Sequence, residues 1–301
     1  MKKNKSTLII VAVCLMVTGL LICAGLMFAL NFDFTKLDNT VYVTHSKEFT
    51  DEILGISVDT DIADIYLVPS KENAVKVVCT EKENSPHNIT LANGTLRIKN
   101  AEKHWYEYIS AFSFNKSKIT IHLPETLYTS LDLNTNTGSI NIEGISATQM
   151  NVETDTGHIS LNSIGWSESV SLEADTGHIN VSDTRCNKMN AQTDTGSVTL
   201  SDVKYYDLIC ETDTGDITLT NVISEGNINT ETDTGDIIFD NSDAVNIYAK
   251  SSTGDISGTI VYVKTFSAHS STGKVDVPNT TGTGVFEAKT STGDIKISYK
   301  E

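Results

Sequence analysis

Arginine is almost missing from this chain, because Arg97 and Arg185 are the two that its 301 residues contain. The charge balance is acidic, with 39 acidic residues against 22 basic ones and a formal charge of −17. Proteins that bind phosphate backbones need clustered Lys and Arg side chains. The composition therefore argues against nucleic acid and favours cations, cationic peptides or basic surfaces as partners.

Cysteine is also scarce, and only Cys79, Cys186 and Cys210 lie beyond the N-terminal apolar run. An odd number of cysteines cannot form a complete disulfide framework. Cys186 and Cys210 lie at different phases of the repeat described below, so we do not expect them to pair. The fold must therefore be stabilised by its core, for which an apolar content of 39% is sufficient.

Charged residues are absent from residues 7–30, a run of 24 residues that is long enough to cross a bilayer as a helix. A cleaved signal peptide is the alternative, but it would have a shorter apolar core and a small-x-small cleavage site. The basic residues of segment 1–6 predict a cytoplasmic N-terminus, with the rest of the chain outside the cell membrane. All 39 acidic residues follow the run, so this outer part carries about −20 formal charges.

A repeat of 19 or 20 residues, centred on Thr-Asp-Thr-Gly, fills the C-terminal half of the chain. Apolar residues precede each glycine by seven and five positions and follow it by two and four, as in Leu131, Leu133, Ile140 and Ile142. This alternation predicts two short strands per turn that meet at a glycine corner. The repeat glycines are Gly138, Gly157, Gly177, Gly196, Gly215, Gly235, Gly254, Gly273 and Gly293.

One turn cannot bury its apolar face alone, so the turns are expected to stack. We predict an all-β, single-chain β-solenoid of about nine to ten turns behind one transmembrane helix. Residues 58–67 read as a degenerate turn with Ala63 at the glycine position. The predicted segments are a basic stub 1–6, an anchor 7–30, a linker 31–49, an irregular β segment and cap 50–125, and regular repeats 126–301.

The irregular segment contains a predicted hairpin at residues 88–98, turned by Asn93-Gly94, and a strand from Ser117 to Leu123. We expect the aromatic stretch between them to cap the solenoid, with contact to a partner or membrane surface as the alternative. At the other end, charges around the strand Ile295–Tyr299 are expected to discourage edge-to-edge aggregation. The aromatic residues are Trp105, Tyr106, Tyr108, Phe112 and Phe114.

The Thr-x-Thr-Gly-Asp-Ile turns, the strand Ile121-His122-Leu123-Pro124 and the N-terminal apolar run resemble the bacterial putative-adhesin, or toastrack, family of β-strand repeats. The resemblance covers about residues 50–299. It implies an envelope-associated protein without an established catalytic motif, in a family with some members implicated in sensing envelope stress or antimicrobial peptides.

The acidic residue between the two threonines has outward parity and recurs in five turns. The carboxylates of successive turns repel one another, and solvent, turn hydrogen bonds and loose counterions can offset this repulsion. The alternative hypothesis is a bound divalent cation, with Ca²⁺ as the ion that suits oxygen ligands. His158 and His178 stand beside two of these carboxylates, so a transition-metal site can also be considered, although stacked surface histidines explain them better. The five candidate metal ligands are Asp155, Asp175, Asp194, Asp213 and Asp233.

Three chemical interpretations of the repeat are disfavoured. Aspartic proteases use two Asp-Thr-Gly copies on facing lobes, whereas here the triplet recurs along a ladder. Ice binding would require both threonines outward with a small residue between them, not an aspartate. A carbohydrate-active enzyme needs a local interruption that builds a cleft, and the turns are almost constant in length. We therefore expect no enzyme and no cofactor, but an adhesin or stress-sensing module that binds an envelope protein, cell wall or cationic peptide.

Overall fold

The computed structural model of the chain describes residues 3–29, 31–32, 41–101 and 117–300. The aromatic stretch that was predicted to cap the solenoid lies outside the described residues. Helix α1 spans Lys3–Ala29, and its apolar part, Ile9–Ala29, has a mean hydropathy of 2.8. At 1.5 Å per residue these 21 residues extend over about 32 Å. Its length and composition suit a membrane anchor or a signal sequence.

Short strands make up the rest of the described chain, because Val, Ile, Leu and Thr alternate with polar residues over most of it. They are β1 (Tyr42–Phe49), β2 (Gly55–Ser70), β3 (Val75–Lys82), β4 (His87–Ala92), β5 (Thr95–Asn100), β6 (Ser117–Pro124), β7 (Leu127–Thr137), β8 (Ile140–Glu143), β9 (Ser146–Thr156), β10 (Ile159–Asn162), β11 (Ser167–Thr176), β12 (Ile179–Ser182), β13 (Cys186–Thr195), β14 (Val198–Ser201), β15 (Lys204–Tyr205), β16 (Asp207–Thr214), β17 (Ile217–Thr220), β18 (Ile223–Ser224), β19 (Asn227–Thr234), β20 (Ile237–Asp240), β21 (Asn246–Thr253), β22 (Ile256–Ile260), β23 (Thr265–Thr272), β24 (Val275–Asp276), β25 (Val285–Thr292) and β26 (Ile295–Tyr299).

In-register parallel pairing stacks the turns. Strands before the corner glycines form one sheet, the pre-glycine sheet, in which Leu172 pairs with Ala191 of the next turn. Strands after the glycines form the post-glycine sheet, in which Ile159 pairs with Ile179. The short strands β15 and β18 pair with each other on a third side. The predicted β-solenoid with its 19- to 20-residue repeat is confirmed.

The interior is a column of apolar side chains from both sheets. The predicted inward residues Leu131, Leu133, Ile140 and Ile142 are each at most 2% exposed. Cys186 is buried and unpaired, as is Cys210 in the neighbouring turn. Burial raises the pKa of the Cys186 thiol to about 12. The fold is thus built on apolar packing and on ladder hydrogen bonds.

A second corner, six residues after the glycine, turns the chain out of the post-glycine sheet. The backbone there is left-handed, with φ from 47° to 64°. Glycine, asparagine and aspartate tolerate this conformation better than other residues, which explains five of the six residues at this position, with Ser163 as the exception. The side chains also form a ladder, because Asn241 donates to Asn221 Oδ1 at 2.7 Å. The residues are Gly144, Ser163, Asp183, Asp202, Asn221 and Asn241.

The N-terminal end of the stack is built by a chain that doubles back. Strand β2 carries the degenerate turn and pairs with β7 and β8 on one side and with β5 and β6 on the other. The hairpin of β4 and β5 turns through left-handed Asn93 and Gly94, as predicted. Strand β1 lies in the predicted linker 31–49. The burial of its residues does not alternate, so this segment lacks the period-two pattern that predicts a strand.

The last two turns are not stacked in the order of the sequence. Strand β25 pairs with β21 on one side and β23 on the other, and β26 lies in the same way between β22 and β24. The turn of Gly293 is therefore inserted between those of Gly254 and Gly273. The prediction that Ile295–Tyr299 is an edge strand is wrong for Ile295 and Lys296, which are paired on both sides, whereas the rest of the strand is paired with β22 alone.

Candidate functional site

The glycine corner brings the backbones of neighbouring turns into close approach. A Cβ atom on any of the nine repeat glycines would lie 1.6–2.1 Å from a backbone oxygen of the corner in the adjacent turn. At Gly215, where φ is 153°, this atom is the oxygen of Gly196. The glycines thus form one continuous line along the corner, and their role is to let the turns stack.

The residue three positions before each glycine points inward. Thr193 Oγ1 donates to the oxygen of Gly177 at 2.9 Å, and Thr154 donates to Gly138 in the same way. The second threonine of the triplet is exposed, as Thr195 illustrates. The two threonines therefore do not share an outward face. Ice binding would require both of them to face outward.

The residue directly after the glycine connects successive turns through its side chain. The backbone N–H of Asp236 donates to Asp216 Oδ1 at 2.9 Å, and that of Asp255 donates to Asp236 Oδ1 at 2.8 Å. His158 and His178 occupy the same position, and their rings stack with centroids 5.0 Å apart. Each histidine accepts a backbone N–H through Nδ1 at 2.9 Å, so this nitrogen is not free to bind a metal.

Nine carboxylates project from the outer surface of the pre-glycine sheet in two neighbouring columns, called here the acidic face. One column is two residues before the glycine and consists of the five predicted aspartates, all of which are exposed. The other is four residues before the glycine. The acidic face comprises Asp155, Asp175, Asp194, Asp213, Asp233, Glu153, Glu173, Glu211 and Glu231.

In-register pairing sets the spacing of these charges, since Glu153 pairs with Glu173 and Glu211 with Glu231. Charges in neighbouring strands, about 4.8 Å apart, repel by about 0.9 kcal/mol even in bulk water. Three contacts offset part of this repulsion, and one of them is the hydrogen bond that Ser252 donates to Asp233 Oδ1 at 3.1 Å. Gln192 donates to Glu211 at 2.7 Å, and Lys250 forms an ion pair with Glu231 that raises the pKa of Lys250.

A shallow groove of about 770 Å³ lies beside the acidic face on the same sheet. Most of its lining surface is apolar, and the polar side chains around it include Lys188, Asn190, Asp207 and Asn229, with Tyr248 as the aromatic residue. The outer surface thus offers a row of carboxylates next to a groove that has hydrogen-bonding groups and one aromatic ring.

The predicted aspartates are brought into one column but not into a tight cluster. Within the described residues, the His, Cys, Asp and Glu side chains whose donor atoms converge within 4.8 Å as a group of three are Cys79, Glu81 and His87. This group was not predicted from the sequence. One signal was available, because Glu81 continues the inward row of Val77 and Cys79 on an alternating strand.

The stacked glycine corners and the two parallel sheets define a β-strand-repeat solenoid. The chain belongs to the Toastrack DUF4097 family, whose sequence model matches residues 53–205 and 183–301. Comparison with curated protein sequences finds no match.

Solved structures with a similar course of the chain include two described as putative adhesins. The one from Bacteroides fragilis is 15% identical, with 85% of this chain and 97% of that chain covered and a TM-score of 0.39. The one from Parabacteroides merdae is 12% identical, with coverage of 87% and 98% and a TM-score of 0.46. A structure from Parabacteroides distasonis described as a putative lipid binding protein is 14% identical, with coverage of 88% and 98% and a TM-score of 0.40.

Proposed function

We propose that this protein is a noncatalytic, membrane-anchored surface module of the adhesin type that binds a polyvalent cationic partner through the acidic face. The observation that supports this function is the pair of carboxylate columns on a regular, outward sheet surface. Lys and Arg side chains of a basic peptide or basic protein surface are the groups that such columns attract.

The spacing of the charges favours a partner that is itself repetitive. Each exposed ion pair contributes only about 0.2–1 kcal/mol, so a single contact binds weakly. Several contacts on one rigid surface add up, because each further contact forms at high effective concentration. The neighbouring groove, with Tyr248 and Asn190, would hold the backbone or apolar side chains of the same partner.

In our proposal the protein acts at a membrane surface, and the length and apolar composition of the N-terminal helix support this location. The apolar part of α1 would anchor the chain, with the N-terminus in the cytoplasm and the solenoid outside the cell. There it would meet cationic peptides, basic proteins or cell-wall polymers. Binding of cationic antimicrobial peptides would also connect the module to envelope stress. Protease treatment of intact cells that express the full chain should remove the solenoid and leave α1 in the membrane.

The acidic face can be tested with one variant and a matched control. The variant converts all five aspartates of the outer column to asparagine, and the control removes five exposed charges from the N-terminal region by D51N, E52Q, E72Q, E83Q and E125Q. Binding of fluorescent polylysine to the full chain in lipid nanodiscs is measured at several salt concentrations.

We expect the aspartate variant to bind about tenfold more weakly, because several contacts of a few tenths of a kcal/mol are lost together. Its binding should also depend less on salt, since fewer charges are screened. The control should bind like the unmodified protein. Equal losses in both variants would mean that net charge alone attracts polylysine, and would overturn the acidic face as a binding site.

A further inference from the structure

A buried carboxylate at the N-terminal end of the solenoid is surrounded by metal-ligating side chains. Glu81 is fully buried on β3, at a position that in the rest of this strand is apolar. An ionised carboxylate is expensive to bury unless positive charge or several donors accompany it. Within the described residues, the ion pairs of Glu81 are those with His45 and His87.

Three strands bring these side chains together. His45 on β1 is the antiparallel partner of Cys79 on β3, two residues before Glu81. His87 opens β4, and its backbone N–H donates to Glu81 Oε2 at 2.8 Å. The same oxygen contacts His87 Nδ1, while Glu81 Oε1 contacts His45 Nε2. Each of the two carboxylate oxygens therefore has an imidazole nitrogen beside it.

We propose that Cys79, Glu81 and His87 form a binding site for a transition-metal ion, with Zn²⁺ as the ion that fits best. Their sulfur, oxygen and nitrogen donors lie within 4.8 Å of one another. Glu81 and His87 are in direct contact, so these two side chains would part to admit one ion at bond lengths of about 2.0–2.3 Å. Thiolate and imidazole ligands select against Ca²⁺ and Mg²⁺, which prefer oxygen ligands.

The three proposed ligands are buried, as in a structural metal site, and one side of the group is open to solvent. The side chains of Glu81 and His87 are 0% and 4% exposed, and Cys79 is fully buried. The His45 side chain is 47% exposed and contacts Glu81 from the solvent side. It is placed to complete the tetrahedral set or to orient Glu81, and its side of the group is the entry path for the ion.

Metal binding would change the protonation state of Cys79. Burial, and secondarily the charge of Glu81, raises the pKa of this thiol to about 12. The thiol therefore keeps its proton without a metal. When the ion binds, a sulfur–metal bond replaces the S–H bond and the proton passes to solvent. The two positive charges of the ion would then compensate the negative charges of the thiolate and the carboxylate.

The test uses the full chain in detergent micelles, stripped with a chelator and titrated with Zn²⁺ and with Co²⁺ as a spectroscopic probe. We expect one ion per chain and an absorption band for charge transfer from thiolate to cobalt. The C79V variant should lose the band and the E81Q variant should bind Zn²⁺ at least tenfold more weakly. The controls C186V and H158N/H178N should behave like the unmodified chain, since these residues lie outside the group.

The circular dichroism spectrum of each variant shows whether it is folded. A second experiment uses the unmodified chain alone. In hydrogen exchange, Zn²⁺ should slow exchange of β1, β3 and the start of β4, while the regular turns stay unchanged. Absence of the cobalt–thiolate band in the unmodified chain would overturn the proposal and leave a buried carboxylate held by two histidines. Zn²⁺ binding that H158N/H178N abolishes and C79V preserves would overturn it as well.

Discussion

The glycine corners have no space for a side chain, not even for the methyl group of alanine. At Gly215, a Cβ atom would lie 2.0 Å from the oxygen of Gly196, and a φ of 153° is unfavourable for any other residue. We predict that Gly215→Ala lowers the free energy of unfolding by about 2–4 kcal/mol, because backbone strain and overpacking add. Urea unfolding of a fragment of residues 41–301 measures this loss.

Gly165→Ala is the matched control for this substitution. Its Cβ would meet only the Ser146 hydroxyl at 3.1 Å, and its φ lies outside the left-handed region. A loss below about 1 kcal/mol is expected there. If both alanine variants were equally stable, the stacked corner would tolerate a side chain, contrary to the geometry described above.

A second residue-level prediction concerns alkaline pH. Burial raises the pKa of Cys186 from 9.0 to about 12, so the folded state keeps a proton that the unfolded state loses above pH 9. The contribution of this thiol is complete below pH 9 and is lost as the pH rises to about 12. The fragment should therefore lose stability over this window, and Cys186→Ala should lose less. Parallel curves for both proteins between pH 9 and 11 would contradict the prediction.

At the level of elements, the alternation of apolar residues was sufficient to predict the two strands of each turn and their glycine corner. It could not predict the order of the last turns, because the turns of Gly254, Gly273 and Gly293 have the same pattern and fit in any order. The group around Glu81 was missed for a different reason. His45 and Glu81 are separated by 36 residues, and only the antiparallel pairing of β1 with β3 brings them together.

The inserted C-terminal turn leads to a truncation experiment. A chain that ends at residue 284 lacks β25 and β26, which are the sheet neighbours of β23 and β24. We expect residues 265–276 to lose protection from hydrogen exchange in this variant, because their ladder hydrogen bonds have no partner strand. A chain that ends at residue 264 should keep the turn of Gly254 protected. Full protection of residues 265–276 in the longer truncation would show that the turns stack in sequence order.

At the level of the whole molecule, stability depends on contacts between neighbouring turns, so a complete turn can be removed without changing the interfaces that remain. Deletion of residues 197–215 joins Gly196 to Asp216 and keeps every residue in phase with the stack. Deletion of residues 207–215 removes only the pre-glycine strand of the same turn. We expect the first variant to fold with a cooperative urea transition and the second to lose it.

The whole-turn deletion also removes Glu211 and Asp213 from the acidic face. If the face binds polylysine through several equivalent contacts, affinity should fall by about twofold to fivefold, since two exposed ion pairs account for roughly 0.5–1 kcal/mol. Deletion of residues 236–254 is the control, because that turn contributes no carboxylate to the acidic face. It removes Lys250, the ion-pair partner of Glu231, but Lys289 is in register with Lys250 and would take its place. If the chain without residues 197–215 folds and binds polylysine with unchanged affinity, the binding groups lie elsewhere. If both deletions lower the affinity equally, the length of the stack determines binding.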